Sequence, residues 1–190
     1  MLTLYKSLVR SLLEYCCPLW NPRKISEIQL LEGVQRTFTK KIWGFTDINY
    51  WERLKALKLM SLQRRRERYT ILHMWKILHG TSPNDLDIQF NLPSRHGISA
   101  KVPSLIKTSS QRHQTLYDAS FAVKGPRLWN IIPSSITIES DFAKFKAMLS
   151  EFVLRVPDLP PIAGYTTVND NSLLNWYANT QGWPAHLMAC

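Results

Sequence analysis

Glycine, cysteine and acidic residues are scarce in this sequence of 190 residues, and each shortage excludes a class of protein. The seven glycines form neither a GxGxxG nor a GxxxxGK[ST] motif, which excludes the two commonest phosphate-binding loops. The three cysteines make no disulfide framework and no CxxC spacing, which is typical of a reducing compartment and of a chain without structural zinc. We therefore expect neither a metal site nor a bound cofactor.

Long apolar runs are also missing, because no stretch of 18 apolar residues occurs. The N-terminal run MLTLYKSLVRSLLEYCCPLW contains Lys6, Arg10 and Glu14, which is typical of an amphipathic helix and not of a signal peptide. Apolar residues make up 45% of the chain, enough for a folded core. We expect an intracellular protein, nuclear or cytoplasmic, that has no membrane partner.

Positive charge is concentrated in the first part of the chain. Residues 1–80 hold 15 basic and 6 acidic side chains, a net charge of +9. Residues 81–190 hold 9 basic and 8 acidic side chains, a net charge of +1. Such asymmetry indicates either a polyanion partner for the first part or a generally solvated basic surface, and charge alone favours neither.

Apolar residues recur at helical spacing and predict the main elements. The expected helices are 2–16, 25–43, 50–57, 62–79 and 140–155, with Gly44 closing the second. The core that they build is expected to include Leu8, Leu12, Leu31, Phe38, Leu54, Leu72 and Trp75.

The character of the sequence changes after Gly80. We expect a two-stranded β-hairpin from residues 104–110 and 119–124, because β-type residues alternate there, and a short helix over 126–129. The expected fold class is mainly α, in three parts. A helical thumb-like bundle (1–80) precedes the hairpin and a further helix (81–156), and a proline-rich linker with a weakly ordered, extended tail (157–190) ends the chain.

Two features of the helices need a physical reason. Gly33 lies inside the second helix, where glycine costs about 1 kcal/mol relative to alanine. Close approach of another helix, or of a nucleic-acid phosphate, would explain it. The stretch SLQRRRERYTILHMWKILHG begins with a good N-cap, Ser61, yet crowds its first two turns with cations, where the helix dipole disfavours positive charge. These cations are Arg64, Arg65, Arg66 and Arg68.

Two interpretations of the four arginines are open. The helix is charged all round at one end and apolar all round at the other, so we expect it to rise from the core with its arginine end exposed. Alternatively, Arg65 or Arg66 pairs with Glu52 or Glu67 inside the fold. No catalytic constellation accompanies them: carboxylates are sparse, and Asp85 and Asp87, two residues apart, are typical of turn capping.

Several blocks resemble, in order and spacing, the region that follows the catalytic palm in LINE-type (non-LTR) retrotransposon reverse transcriptases. The blocks are LYKSLVRSLLEYCCPLW, LLEGVQRTFTKKIWG, YWERLKALKLMSLQRRR and KILHG, followed by SFAVKGPRLWNIIPSSI and FAKFKAMLSEF. The likeness covers residues 2–155. It implies the thumb and C-terminal part of a truncated copy, without the paired palm aspartates and therefore without polymerase activity of its own.

The resemblance also implies a role for the basic residues, because a polymerase thumb lies along the template–primer duplex. We expect this chain to bind that duplex without sequence preference, and a longer copy to supply a palm/fingers domain as a further partner. The alternative is an inert or protein-interacting remnant whose Trp and Phe residues form a sticky patch. The residues expected to bind the phosphate backbone are Arg36, Lys40, Lys41, Arg64, Arg65, Arg66 and Arg68.

Overall fold

The structure, a computed structural model, describes residues 2–22, 24–82, 120–164, 171–180 and 182–184. Within these ranges all regular elements are helices and there is no strand. The expected mainly α class is therefore confirmed. None of the helices in the described ranges is long and apolar enough to cross a membrane.

The first part of the chain contains four helices. Helix α1 is continuous and comprises Leu2–Leu4, a π-helical stretch Tyr5–Val9, and Arg10–Glu14. Helices α2, α3 and α4 are Ile25–Lys40, Tyr50–Ala56 and Leu62–Leu78. All four predicted helices are present, and each ends one to three residues earlier than predicted.

Four further helices lie in the described residues after position 119. They are α5 (Phe121–Ile131), α6 (Ser134–Thr137), α7 (Phe142–Arg155) and α8 (Leu173–Asn179). The predicted helix over 140–155 corresponds to α7, whose N-cap is Asp141; its side chain accepts the Lys144 N–H at 2.7 Å.

The predicted β-hairpin is not supported. Its first strand, 104–110, lies outside the described residues, and the second, 119–124, is wrong because α5 begins at Phe121. Local β-type composition is overridden here because Phe121 and Leu128 are buried against α4. The short helix predicted over 126–129 is part of α5, and Pro126 lies inside it rather than at its first turn.

The larger hydrophobic core lies where α4, α5, α7 and α8 meet. Trp75 and Trp129 both pack against Phe145, with ring centroids 5.8 Å apart in each pair. Leu173 of α8 is fully buried in this core, and its N–H donates to the Glu67 carboxylate at 3.0 Å. The extended tail predicted over 157–190 is therefore corrected at residues 173–179, which form helix α8 and pack on this core.

Two of the predicted core residues are on the surface. Leu8 and Leu12 are 62% and 77% exposed, whereas Tyr5 of the same helix is fully buried and stacks on Phe38. The apolar stripe of α1 is wider than the face of the helix that packs on the rest of the fold. The bond between Glu14 and Arg65 of α4 determines which face that is. The predicted burial of Leu8 and Leu12 is corrected accordingly.

The other predicted core residues are at least partly buried. Leu54, Leu72 and Trp75 are buried, and Leu31 and Phe38 are partly buried. Leu54 belongs to a smaller core with Tyr50, Leu59 and Ile162. This small core joins α3 to the segment after α7.

Gly33 has no close neighbour that would require glycine. A Cβ atom added there meets nothing within 4 Å, so the expected helix–helix approach is wrong for the described part of the chain. Gly125 is the opposite case, because a Cβ there would lie 2.7 Å from Sδ of the buried Met74.

These two glycines give a matched pair of predictions. Gly33→Ala is expected to raise the free energy of unfolding by about 0.5–1 kcal/mol, since it improves helix propensity without a clash. Gly125→Ala is expected to lower it by about 1–3 kcal/mol through overpacking. Urea denaturation followed by circular dichroism measures both, and a destabilised Gly33→Ala would contradict the open surroundings of that position.

Candidate nucleic-acid interface

Arg64 is fully buried and binds the C-terminal segment. Its Nη2 donates to the carbonyl oxygens of Pro157 and Asn171, at 3.0 and 2.9 Å. Its Nε lies 4.0 Å from Oε2 of Glu67, whose side chain is also fully buried. The guanidinium therefore joins α4 to two segments that are about a hundred residues away in sequence.

Arg65 and Arg68 are also engaged inside the fold. Arg65 binds the Glu14 carboxylate of α1 through two nitrogens, with Nη2 to Oε2 at 2.9 Å, and donates to the Tyr69 hydroxyl at 3.0 Å. Arg68 is 8% exposed and donates from Nη2 and Nε to the Ser150 hydroxyl of α7, at 2.7 and 3.0 Å. These contacts attach α1 and α7 to α4.

Arg66 is fully buried with fewer partners. Its Nε donates to Oδ1 of Asn21 at 3.3 Å, and its two terminal nitrogens have no hydrogen-bond acceptor among the described residues. Burial lowers the pKa of the Arg66 guanidinium, and the nearby Glu32 carboxylate partly opposes that shift.

The arginine end of α4 is therefore interior, and the expectation that it is exposed is wrong. The charge that disfavours an isolated helix start is compensated by remote groups, chiefly Glu14 and the carbonyl oxygens of Pro157 and Asn171. The alternative prediction was an internal pair of Arg65 or Arg66 with Glu52 or Glu67. The internal pair that forms instead is Arg65 with Glu14.

A buried chain of polar side chains lies beside this end of α4. Hydrogen bonds run from Tyr5 to Gln35 (2.8 Å), from Gln35 to the Tyr50 hydroxyl (3.0 Å) and from Tyr50 to Glu32 (2.7 Å). The Gln63 N–H donates to the other Glu32 oxygen at 2.8 Å. Burial raises the pKa of Glu32 from 4.5 to about 7, although the bonds from Tyr50 and Gln63 act in the opposite direction.

This shift in the Glu32 pKa predicts a pH dependence of stability. Between pH 4.5 and 7 the unfolded chain releases the Glu32 proton while the folded chain keeps it. The contribution of Glu32 to the free energy of unfolding is therefore greatest below pH 4.5 and falls as pH rises to 7, by about 3 kcal/mol in all. Urea denaturation of the wild type and Glu32→Gln across this range isolates the effect, and identical pH profiles would contradict it.

The other three predicted site residues lie together at the C-terminal end of α2. Lys40 and Lys41 are exposed and Arg36 is half-buried. In the part of the chain that the structure describes, no carboxylate lies within ion-pair distance of any of them. These cations are available to an external anion, unlike the arginines of α4.

The three cations line one cavity of about 580 Å³ between α2 and α3. The rest of its wall comes from the connection between the two helices, from α3 and from Ile162. These remaining residues are Thr37, Thr46, Asp47, Ile48, Asn49, Tyr50, Trp51, Arg53 and Ile162. We refer to it below as the basic cavity; its volume lies within the range of about 300–1,000 Å³ that is typical of ligand pockets.

Arg53 holds the wall of the basic cavity in place. It is not among the site residues predicted from the sequence. It is 4% exposed and its guanidinium donates to the Ile48 carbonyl, the Arg36 carbonyl (3.3 Å) and the Thr39 hydroxyl (3.4 Å). Burial lowers its pKa, and the neighbouring Arg36 lowers it further. Nothing in its spacing distinguishes a buried arginine from an exposed one.

Trp43 follows the cation cluster by two residues and is 97% exposed. The predicted helix over 25–43 would have placed it within α2, but α2 ends at Lys40 and Gly44 adopts a positive φ of 83°. A tryptophan with nearly all of its surface in water is unusual, because large aromatic side chains are mostly buried.

Among the described residues there is no group of three His, Cys, Asp or Glu side chains that could hold a metal ion. Comparison with protein-family models, with curated proteins and with solved structures finds no match to this chain.

Proposed function

We propose that this chain is the thumb and C-terminal region of a LINE-type reverse transcriptase, and that it binds the phosphate backbone of a template–primer duplex. The observation that carries the binding proposal is the cluster of Arg36, Lys40 and Lys41, which has no acidic partner among the described residues and lines an open cavity. Cations of this kind bind a polyanion by releasing its condensed counterions.

The arginines of α4 have a different role in this proposal. Arg64 and Arg66 are fully buried, and Arg65 and Arg68 are engaged with Glu14 and Ser150. They hold α1, α7 and the C-terminal segment on α4. In this proposal they stabilise the fold that carries the phosphate-binding cations and do not contact phosphate themselves.

The proposal includes no catalysis by this chain alone. Nucleotide addition requires two metal ions held by carboxylates, and the resemblance implies that those aspartates belong to the palm. In primer extension with a homopolymer template, dNTPs and Mg²⁺ or Mn²⁺, we expect no product above background. Incorporation that is lost on changing Asp85 or Asp87, which lie outside the described residues, would overturn the assignment.

A second candidate function is protein interaction, and one observation favours it. One face of α1 and of the turn after it is apolar and largely exposed, from 61% at Leu4 to 77% at Leu12. Its members are Leu4, Leu8, Leu12, Tyr15 and Leu19. An exposed apolar patch was predicted to consist of Trp and Phe residues, whereas this one consists mainly of leucine.

The proposed occupant of this α1 face is the palm/fingers domain of a longer copy. Co-purification with that domain tests it: the wild type is expected to be retained and the variant Leu8→Glu/Leu12→Glu is expected to be lost. Equal retention of both would refute a role for this face, and loss of retention with unchanged nucleic-acid binding would separate the two functions.

A further inference from the structure

The basic cavity combines two kinds of wall. One side is cationic, with Arg36, Lys40 and Lys41, and an aromatic wall is formed by the half-buried Trp51, next to Tyr50, which is only 3% exposed. Phosphate groups are bound by the first kind of surface and nucleic-acid bases stack on the second. A cavity that offers both matches the two halves of a nucleotide.

The aromatic wall is held firmly. The Trp51 indole N–H donates to the Pro160 carbonyl at 3.2 Å, which fixes the ring against the segment that follows α7. The Tyr50 hydroxyl donates to Glu32 and accepts from Gln35, and the Arg53 guanidinium lies 5.6 Å from the centre of the Tyr50 ring. A stacking surface that is fixed before binding loses little conformational entropy when a base arrives.

The size of the cavity determines which form of nucleic acid enters it. A volume of about 580 Å³ is that of a small-molecule pocket, so a duplex can place its phosphates on the cations only from outside and does not enter the cavity. A base can enter only when it is unpaired and unstacked, which costs least in a single-stranded segment. Asp47 and Asn49 also line the cavity and supply hydrogen-bonding groups of the kind that read an exposed base edge.

We infer that the basic cavity takes up an unpaired nucleotide, with its base against Trp51 and its phosphates on Arg36, Lys40 and Lys41. The bases of a single-stranded overhang therefore add to the affinity that its phosphates provide. This inference rests on the proposed function and names its substrate more closely.

The experiment compares three labelled probes of equal duplex length by fluorescence anisotropy at fixed salt. One is blunt, one carries a single-stranded overhang of normal nucleotides, and one carries an overhang of the same length made of abasic sites. The abasic overhang keeps every phosphate and removes only the bases. We expect the normal overhang to bind about tenfold more tightly than the abasic one, which is the range for stacking of one base.

A pair of variants tests the assigned residue. Trp51→Leu is expected to abolish the preference for the normal overhang, and Trp51→Phe, which keeps an aromatic face, is expected to retain most of it. Thermal unfolding of both variants checks that the bond to Pro160 is not needed for folding. Because the abasic comparison uses the wild type, it remains decisive if Trp51→Leu fails to fold.

The outcomes separate this inference from the proposed function. Equal affinity for normal and abasic overhangs, with salt-dependent binding of all three probes, overturns the nucleotide site and leaves backbone binding in place. Absence of salt-dependent binding to any probe overturns both. Preference for the normal overhang that persists in Trp51→Leu overturns the assignment of the base to this cavity.

Discussion

Arg64→Ala is expected to lower the free energy of unfolding by about 3–5 kcal/mol, the cost of breaking a fully buried charge network. The change leaves the carbonyl oxygens of Pro157 and Asn171 without their donor. It also removes one of the two cations near the buried Glu67 carboxylate, because Arg64 Nε lies 4.0 Å from Oε2 and Lys124 Nζ lies 3.9 Å from Oε1. Arg64→Lys is expected to recover only part of the loss, because an ammonium does not reproduce the planar fork of a guanidinium.

The control for Arg64 is Arg155, which pairs with Glu151 on the surface of α7. Arg155→Ala removes the same charge and is expected to cost about 0.5 kcal/mol or less. Urea denaturation of both variants gives the comparison. If Arg64→Ala were as stable as Arg155→Ala while nucleic-acid binding fell, the arginine end of α4 would be a surface and its assignment to the interior would be wrong.

The second large effect is expected on binding. The triple variant Arg36→Ala/Lys40→Ala/Lys41→Ala removes the three cations of the basic cavity that have no acidic partner in the described residues. Three phosphate contacts contribute a salt slope of about −2.7, which at 0.1 M salt corresponds to an affinity loss of about two to three orders of magnitude. Fluorescence anisotropy with a blunt duplex measures it.

A matched triple variant on α7 controls for the change in net charge. Lys144→Ala/Lys146→Ala/Arg155→Ala removes the same three positive charges from exposed positions away from the cavity. Its affinity for the duplex is expected to remain within about threefold of the wild type. Equal losses in the two triple variants would show that binding depends on total charge rather than on the basic cavity.

Helix positions were predictable from the sequence because they depend on local patterns. Ser61 caps α4 as its residue type predicts, accepting the Arg64 N–H at 3.0 Å. Gly80 ends the same helix with a positive φ of 65°. The second strand of the hairpin was mispredicted, because burial of Phe121 decided a segment whose local composition was ambiguous.

The partners of the α4 arginines were not predictable, because they are remote and mostly leave no pattern. Two of the acceptors for Arg64 are backbone carbonyls, which every residue has. Glu14 lies at helical spacing from Arg10 and pairs with it at 3.8 Å, but it also binds Arg65, which is remote in sequence. Arg36, Lys40 and Lys41 are neighbours in the sequence, whereas the cavity between α2 and α3 depends on Arg53 and on the tertiary fold.

The most direct test of nucleic-acid binding by the basic cavity is a salt titration of duplex binding with the wild type and the two triple variants. We expect a slope of log K against log salt near −3 for the wild type and for the α7 variant. For the variant without Arg36, Lys40 and Lys41 we expect a slope near zero. An unchanged slope in that variant would contradict the assignment of nucleic-acid binding to the basic cavity.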